Sequence, residues 1–305
     1  MSGARAEQKV KPHKQKKSKH TRRTQVQSSF FLIPSVAGAS LFFFIPYLVV
    51  IYYSVLDNPI GKNFVGISNY GKVFKNIAFQ TAVKNTGMFS LIAVPLAVLF
   101  SLLLALLLDK NIPFRTQFRT FLLSPMMVPV ASIVLIWQVL FDYNGAVNYI
   151  LSFFGMAPVD WLKSDKGLVV VIILFLWKNI GYNMILFLAA LSSVPQDIIE
   201  VARLESAGNF RIFFLIKLRY LVSTLVFVTI MSLINSFKIF REIYLLTNDY
   251  PFDSVYMLQH FMNNKFKSLD YQMLSAAAVM MSLVMVVIIV VLFKAEEHFS
   301  KDLES

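Results

Sequence analysis

The sequence predicts an all-α, polytopic membrane protein with six transmembrane helices. Three observations carry this. The 305 residues are 57% hydrophobic and 15% charged, with a mean hydropathy of +0.63; soluble domains run at about 25% charged. Six apolar stretches, residues 30–56, 88–108, 121–141, 168–190, 218–237 and 273–293, approach or exceed the roughly 20 helical residues that cross a bilayer core. All 17 Asp and Glu residues fall outside those stretches.

The elements follow in order. Residues 1–29 hold nine of the 29 Lys and Arg residues and read as a basic cytoplasmic tail. Basic flanks set topology, and such a tail also attracts anionic membrane lipid. The formal charge of +12 concentrates there, so it does not argue for a nucleic-acid partner. The first apolar stretch has 27 residues, longer than a signal-peptide core of about 7–15, and lacks a small-x-small cleavage site. It is expected to remain as the first span, with residues 30–80 comprising that helix and an outer loop. Residues 81–294 form the core of five further helices, and 295–305 a second cytoplasmic tail. Pro46, Pro95, Pro125 and Pro129 lie inside spans, where neighbouring helices satisfy freed carbonyls. With an even span count both termini face the cytoplasm. The inner segments then carry 17 Lys and Arg against ten in the outer segments, the longest of which is 238–272.

Chemistry is sparse. There are no cysteines, which excludes disulfides and thiolate sites. The four histidines lie in tails or loops, and no HExxH or His–carboxylate pattern occurs, so no metal is expected and no enzymatic activity is assigned to this chain. Gly66 to Lys72 has Walker-like spacing, but Val73 stands where a Mg²⁺-binding Ser or Thr is required. The chain is therefore expected to bind no cofactor, and energy for uphill transport must come from another chain. The lack of carboxylates within the spans weakens a proton-coupled carrier. One cation does lie mid-span: Lys178, followed by Asn179 and Asn183, which share a helical face. With Asn235 on the fifth span, these residues either line a polar pathway or form a hydrogen-bonded packing cluster.

Residues 193–218 form the one polar segment built like a hairpin. Ser193 and Gln196 have capping-box spacing, and Pro195 suits a helix start. Ile198, Ile199 and Ala202 share a face, and Glu200 and Arg203 another. Ser206 to Asn209 offers a break, with Gly208 the residue expected to turn left-handed. A plain helix lying on lipid is the alternative.

This hairpin resembles a family signature. Glu200-x-Ala202, Ala207 and Phe213-x-x-Ile216-x-Leu218 are similar to the EAA loop of binding-protein-dependent ABC importer permeases. Leu188 to Pro195 resembles the family's run-up to that loop. Phe64 to Tyr70, Lys84-Asn85-Thr86, Phe118 to Pro125 and Phe240 to Thr247 resemble further motifs of its maltose-type, carbohydrate-uptake branch, in the family's order. Departures are Glu205-Ser206 for Asp-Gly, Val201 for Ala, Arg219 for Pro, Arg241 for Asp and Asn248-Asp249-Tyr250-Pro251 for Gly-Gly-Pro.

The resemblance implies the type I ABC importer permease fold in a bacterial inner membrane. It also implies a sugar or oligosaccharide substrate, a second permease subunit and two cytoplasmic ATPase subunits holding ATP and Mg²⁺. An extracytoplasmic solute-binding protein would deliver the ligand. Glu200, Ala202, Ala207, Gly208 and Phe213 would couple to the ATPase. The competing class is a stand-alone channel or secondary carrier for a small polar solute.

Overall fold

The computed structural model describes residues 32–110 and 112–304. The expected tail of residues 1–29 lies outside them. The chain divides into residues 1–52 and residues 53–305. From the first unit comes most of α1 (Leu32–Ser54), whose apolar side chains are exposed along its length, as in a helix clothed by lipid. A π-turn interrupts it at Ser40–Phe44.

The second unit is a helical bundle. Its elements are α2 (Ser68–Lys75), α3 (Ile77–Asp109), α4 (Arg115–Met127), α5 (Val130–Leu140), α6 (Ala146–Phe153) and α7 (Gly167–Ser192). After these come α8 (Gln196–Leu204), α9 (Leu218–Phe237), α10 (Phe240–Thr247), α11 (Leu258–Lys267) and α12 (Tyr271–Glu304). No named strand occurs among the described residues. Counting α1, five helical segments among the described residues are long and apolar enough to span a membrane unaided.

The expected third span, residues 121–141, is not one helix. It is the pair α4 and α5, bent by 98°. Val128 precedes Pro129 and takes ψ 132°, an extended value, while Pro129 itself caps α5. A proline ring disfavours helical conformation in the residue before it. Pro125 and Pro95 stay inside their helices.

The central pair is α3 against α7. Ala93, Ala97, Ser101 and Ala105 recur every four residues along α3 and are completely buried. Small side chains let membrane helices approach closely, and dispersion rather than exclusion of water holds them. Ser101 Oγ donates to the Ile180 carbonyl of α7 at 3.1 Å, tying the two backbones. Phe89 of α3 and Phe175 of α7 meet edge to face, with ring centroids 5.4 Å apart. Gly181 turns the other side of α7 toward α4. A Cβ there would overlap the Leu122 carbonyl, so only glycine permits this approach. Asn76 caps α3 by accepting from the Phe79 amide at 3.2 Å. At the opposite end of the chain, α12 continues through the residues expected to be a tail.

Candidate functional site: a coupling hairpin and a charged cavity

The hairpin follows α7. Its capping box does not form: Ser193 Oγ donates to the Ala190 carbonyl at 2.7 Å instead, and Pro195 is the N-cap of α8. Ser193 thus finishes α7 rather than starting α8. The turn also differs from expectation. Gly208 is extended (φ −69°, ψ 159°), and Ser206 takes the left-handed conformation at φ 62°. The Ser206 amide donates to the Arg203 carbonyl and the Ala207 amide to the Ala202 carbonyl, both at 2.9 Å. This is a Schellman closure, whose left-handed position is usually glycine. A short helix Asn209–Ile212 and a π-turn Phe213–Lys217 lead into α9.

The two arms close on an apolar core of Val194, Ile199 and Ile212, flanked by Ala202, Ala207 and Ile216. Ala202 and Ala207 are thus half-buried inside the hairpin, while Glu200 and Gly208 are exposed. Phe213 packs at the edge of the bundle core beside Leu221. Three apolar side chains stand exposed nearby: Val201 (55% exposed), Phe210 (78%) and Leu204 (85%), the last not singled out from sequence. Lys217 Nζ pairs with Asp109 Oδ2 at 2.6 Å, joining the hairpin to the end of α3.

Midway along α7, and at the end of α9 away from the hairpin, lies a cavity of about 630 Å³. Lys178, Asn179 and Asn235 line it. Asn235 Nδ2 donates to Asn179 Oδ1 at 3.0 Å, so two of the predicted residues bond each other across α7 and α9. Asn183 does not reach the cavity. It is 1% exposed and donates to Ser232 Oγ at 2.8 Å in the α7–α9 interface.

Lys178 has an unforeseen partner. It pairs with Glu242, the first-turn acid of α10, which is 3% exposed. Glu242 lies beyond the fifth span as drawn, 218–237, but inside the longer apolar helical segment Asn209–Thr247, and it is buried there. The reason is local. Ile239, Ile243 and Leu246 bury one face of α10 against α3, α5 and α7, and this carries Glu242 inward with them. Pairing relieves both charges, since an unpartnered ion buried there would cost several kcal/mol, on the order of 3–5.

The rest of the segment expected to be an outer loop is also mostly ordered. Asn248 turns the chain at φ 64°. Asp249 accepts from Lys267 Nζ at 2.5 Å, which holds its carboxyl below the usual range and the ammonium above its own. His260, expected in a loop, is fully buried on α11. Its Nδ1 accepts from the Met257 amide at 3.2 Å, and burial pushes the imidazole down to about 4 against a smaller opposing pull from Asp249.

The comparisons with known proteins agree with this architecture. Residues 88–305 match the family described as "Binding-protein-dependent transport system inner membrane component". The chain is 30% identical over 238 residues to the arabinooligosaccharides transport system permease protein of Halalkalibacterium halodurans, covering 73% of this chain and 75% of that one. It is 31% identical over 217 residues to the trehalose/maltose transport system permease protein of Thermococcus litoralis, covering 70% and 74%. A crystal structure of a bacterial alginate ABC transporter in complex with an alginate pentasaccharide-bound periplasmic protein contains a similar chain. The match has a TM-score of 0.79 at 19% identity and covers 92–93% of this chain and 98% of that one, a likeness of fold. With a polar hairpin between two spans, a helical bundle of this shape and a family match over most of its length, the chain belongs to the binding-protein-dependent ABC importer permeases of the inner membrane.

Proposed function

We propose that this chain is the transmembrane permease subunit of an ATP-driven importer that carries a sugar or oligosaccharide. The relatives named for arabinooligosaccharides and for trehalose and maltose support that substrate class. ATP and Mg²⁺ are held by two separate cytoplasmic ATPase subunits, a second permease completes the pathway, and a solute-binding protein delivers ligand on the outer side. Both termini face the cytoplasm, with residues 81–294 as the transport core.

The observation that carries this reading is a polar hairpin joined by the same two helices to a polar cavity about 20 Å away along them. From Leu218 to Asn235 the rise of α9 is about 25 Å at 1.5 Å per residue. A rigid helix of that length transmits a tilt imposed at the hairpin to the cavity wall. The hairpin offers the ATPase an apolar group, Val201, Leu204 and Phe210, beside the exposed acid Glu200. That combination suits a helix-in-groove contact. Ala202 and Ala207 serve the contact indirectly, by keeping the two arms close, and Phe213 anchors the hairpin to the bundle. Lys178, Asn179 and Asn235 belong to the pathway, and Asn183 to helix packing.

A stand-alone carrier gains one specific observation, the carboxylate of Glu242 within an apolar segment. Its pairing with Lys178 gives it a structural role that needs no proton cycle. Glu200→Arg tests the proposal. Loss of ATPase co-purification and of uptake is expected; unchanged association and uptake would overturn the docking assignment.

A further inference from the structure

Glu242 neutralises Lys178, but the cavity has two more cations. Lys238 and Arg241 lie one turn apart, are exposed, and line the same space. No ion pair involves either of them among the described residues. Three cations and one carboxylate leave the lining with a formal charge of +2. The neutral groups beside them, Asn179 and Asn235, already spend one amide contact on each other. Arg241 also stands where the resembling family pattern has Asp, while the neighbouring Glu242 keeps that pattern. An Asp at this position would bring the cavity to formal neutrality.

We infer that the cavity selects an anionic saccharide, one bearing a carboxylate or a phosphate, and that Arg241 reads that charge. This rests on the importer reading and narrows its substrate. The volume of about 630 Å³ lies within the range of small-ligand sites, roughly 300–1,000 Å³. A guanidinium presents two parallel N–H donors that match a carboxylate or a phosphate, and Lys238 adds a mobile point charge. A concave wall with one sign of excess charge also concentrates ions of the opposite sign. The pair Lys178–Glu242 stays as a fixed strut behind the ligand, because its charges already satisfy each other.

The test compares uptake by the complete transporter of a carboxylate probe, digalacturonate, a phosphate probe, glucose 6-phosphate, and the neutral disaccharide maltose. The solute-binding protein is the same for every variant, so a change in preference reports the permease. At least one acidic probe is expected to enter roughly tenfold faster than maltose, and which one identifies the anionic group. Arg241→Asp should remove that preference, Arg241→Gln should reduce it, and Arg241→Lys should keep most of it. An acid-to-maltose uptake ratio that does not fall in Arg241→Asp and Arg241→Gln overturns the charge assignment alone. Uptake of any probe without ATP contradicts the importer reading instead.

Discussion

The hairpin that joins α7 to α9 and the cavity that both helices line handle polarity in opposite ways. The hairpin keeps its charges outside and closes on a small apolar core, with backbone strain concentrated at Ser206. The cavity carries one charge pair inward, Lys178 against Glu242, and leaves Lys238 and Arg241 exposed on its wall. A surface made for a partner exposes its anchors and leaves its own core thin. The buried polar groups among these apolar helices are each tied to a neighbour, Lys178 to Glu242 and Asn183 to Ser232. The hairpin is thus expected to be the softer region, and the cavity the one least tolerant of losing a single group.

The largest effect should follow from breaking the buried pair. Glu242→Ala leaves Lys178 without its partner and should cost about 3 kcal/mol in a denaturant titration in detergent. The double variant Lys178→Met with Glu242→Leu should recover most of that loss, because an apolar pair replaces an ionic one. A loss no greater than that of an exposed carboxylate would show the two regions to be alike. Gly181→Val pushes a side chain into the Leu122 carbonyl and should cost up to about 3 kcal/mol by parting α4 from α7. Thermal unfolding would read this directly, and an unchanged midpoint would deny the close approach.

Acid should act through His260 on α11, next to the cavity-lining Gln259. The imidazole of His260 is depressed in the folded state from 6.5 to about 4, so the folded form resists protonation that the unfolded form accepts. Its contribution is complete above about pH 6.5 and is lost as pH falls toward 4. Linkage puts the loss at about 2 kcal/mol between pH 7 and pH 5. His260→Gln should flatten that part of the pH–stability profile. The smallest effect is a gain: Ser206→Gly frees the left-handed position of the hairpin turn and should add about 0.5–1 kcal/mol locally. Slower amide exchange confined to residues 196–216 would show it. Faster exchange there would mean that Ser206 is not strained.

The unequal legibility of the two regions has the same physical origin. The hairpin announces itself in sequence because every residue that builds it lies within about 25 positions and breaks a hydrophobic pattern. Only its turn misled. Gly208 is the obvious left-handed residue, yet the hydrogen bonds from Ser206 and Ala207 fix the register two positions earlier. Lys178 was visible as a mid-span cation, but Glu242 is 64 residues away and sits in what reads as a loop. The available signal was the helical spacing of Ile239, Ile243 and Leu246, which places an apolar face on α10 and carries Glu242 with it. The 98° bend between α4 and α5 was hidden for another reason. Pro125 and Pro129 look alike in sequence, yet Pro125 stays inside α4 while Pro129 caps α5 at the bend.

The central claim is that transport through this chain is driven by ATPases engaged at the hairpin. Proteoliposomes containing the two permease subunits and loaded solute-binding protein, with and without the ATPase subunits, test it most directly. The account predicts uptake only when the ATPases and internal ATP are both present, and its loss in Glu200→Arg. Equal uptake by the permeases alone would contradict it and make this chain a carrier in its own right.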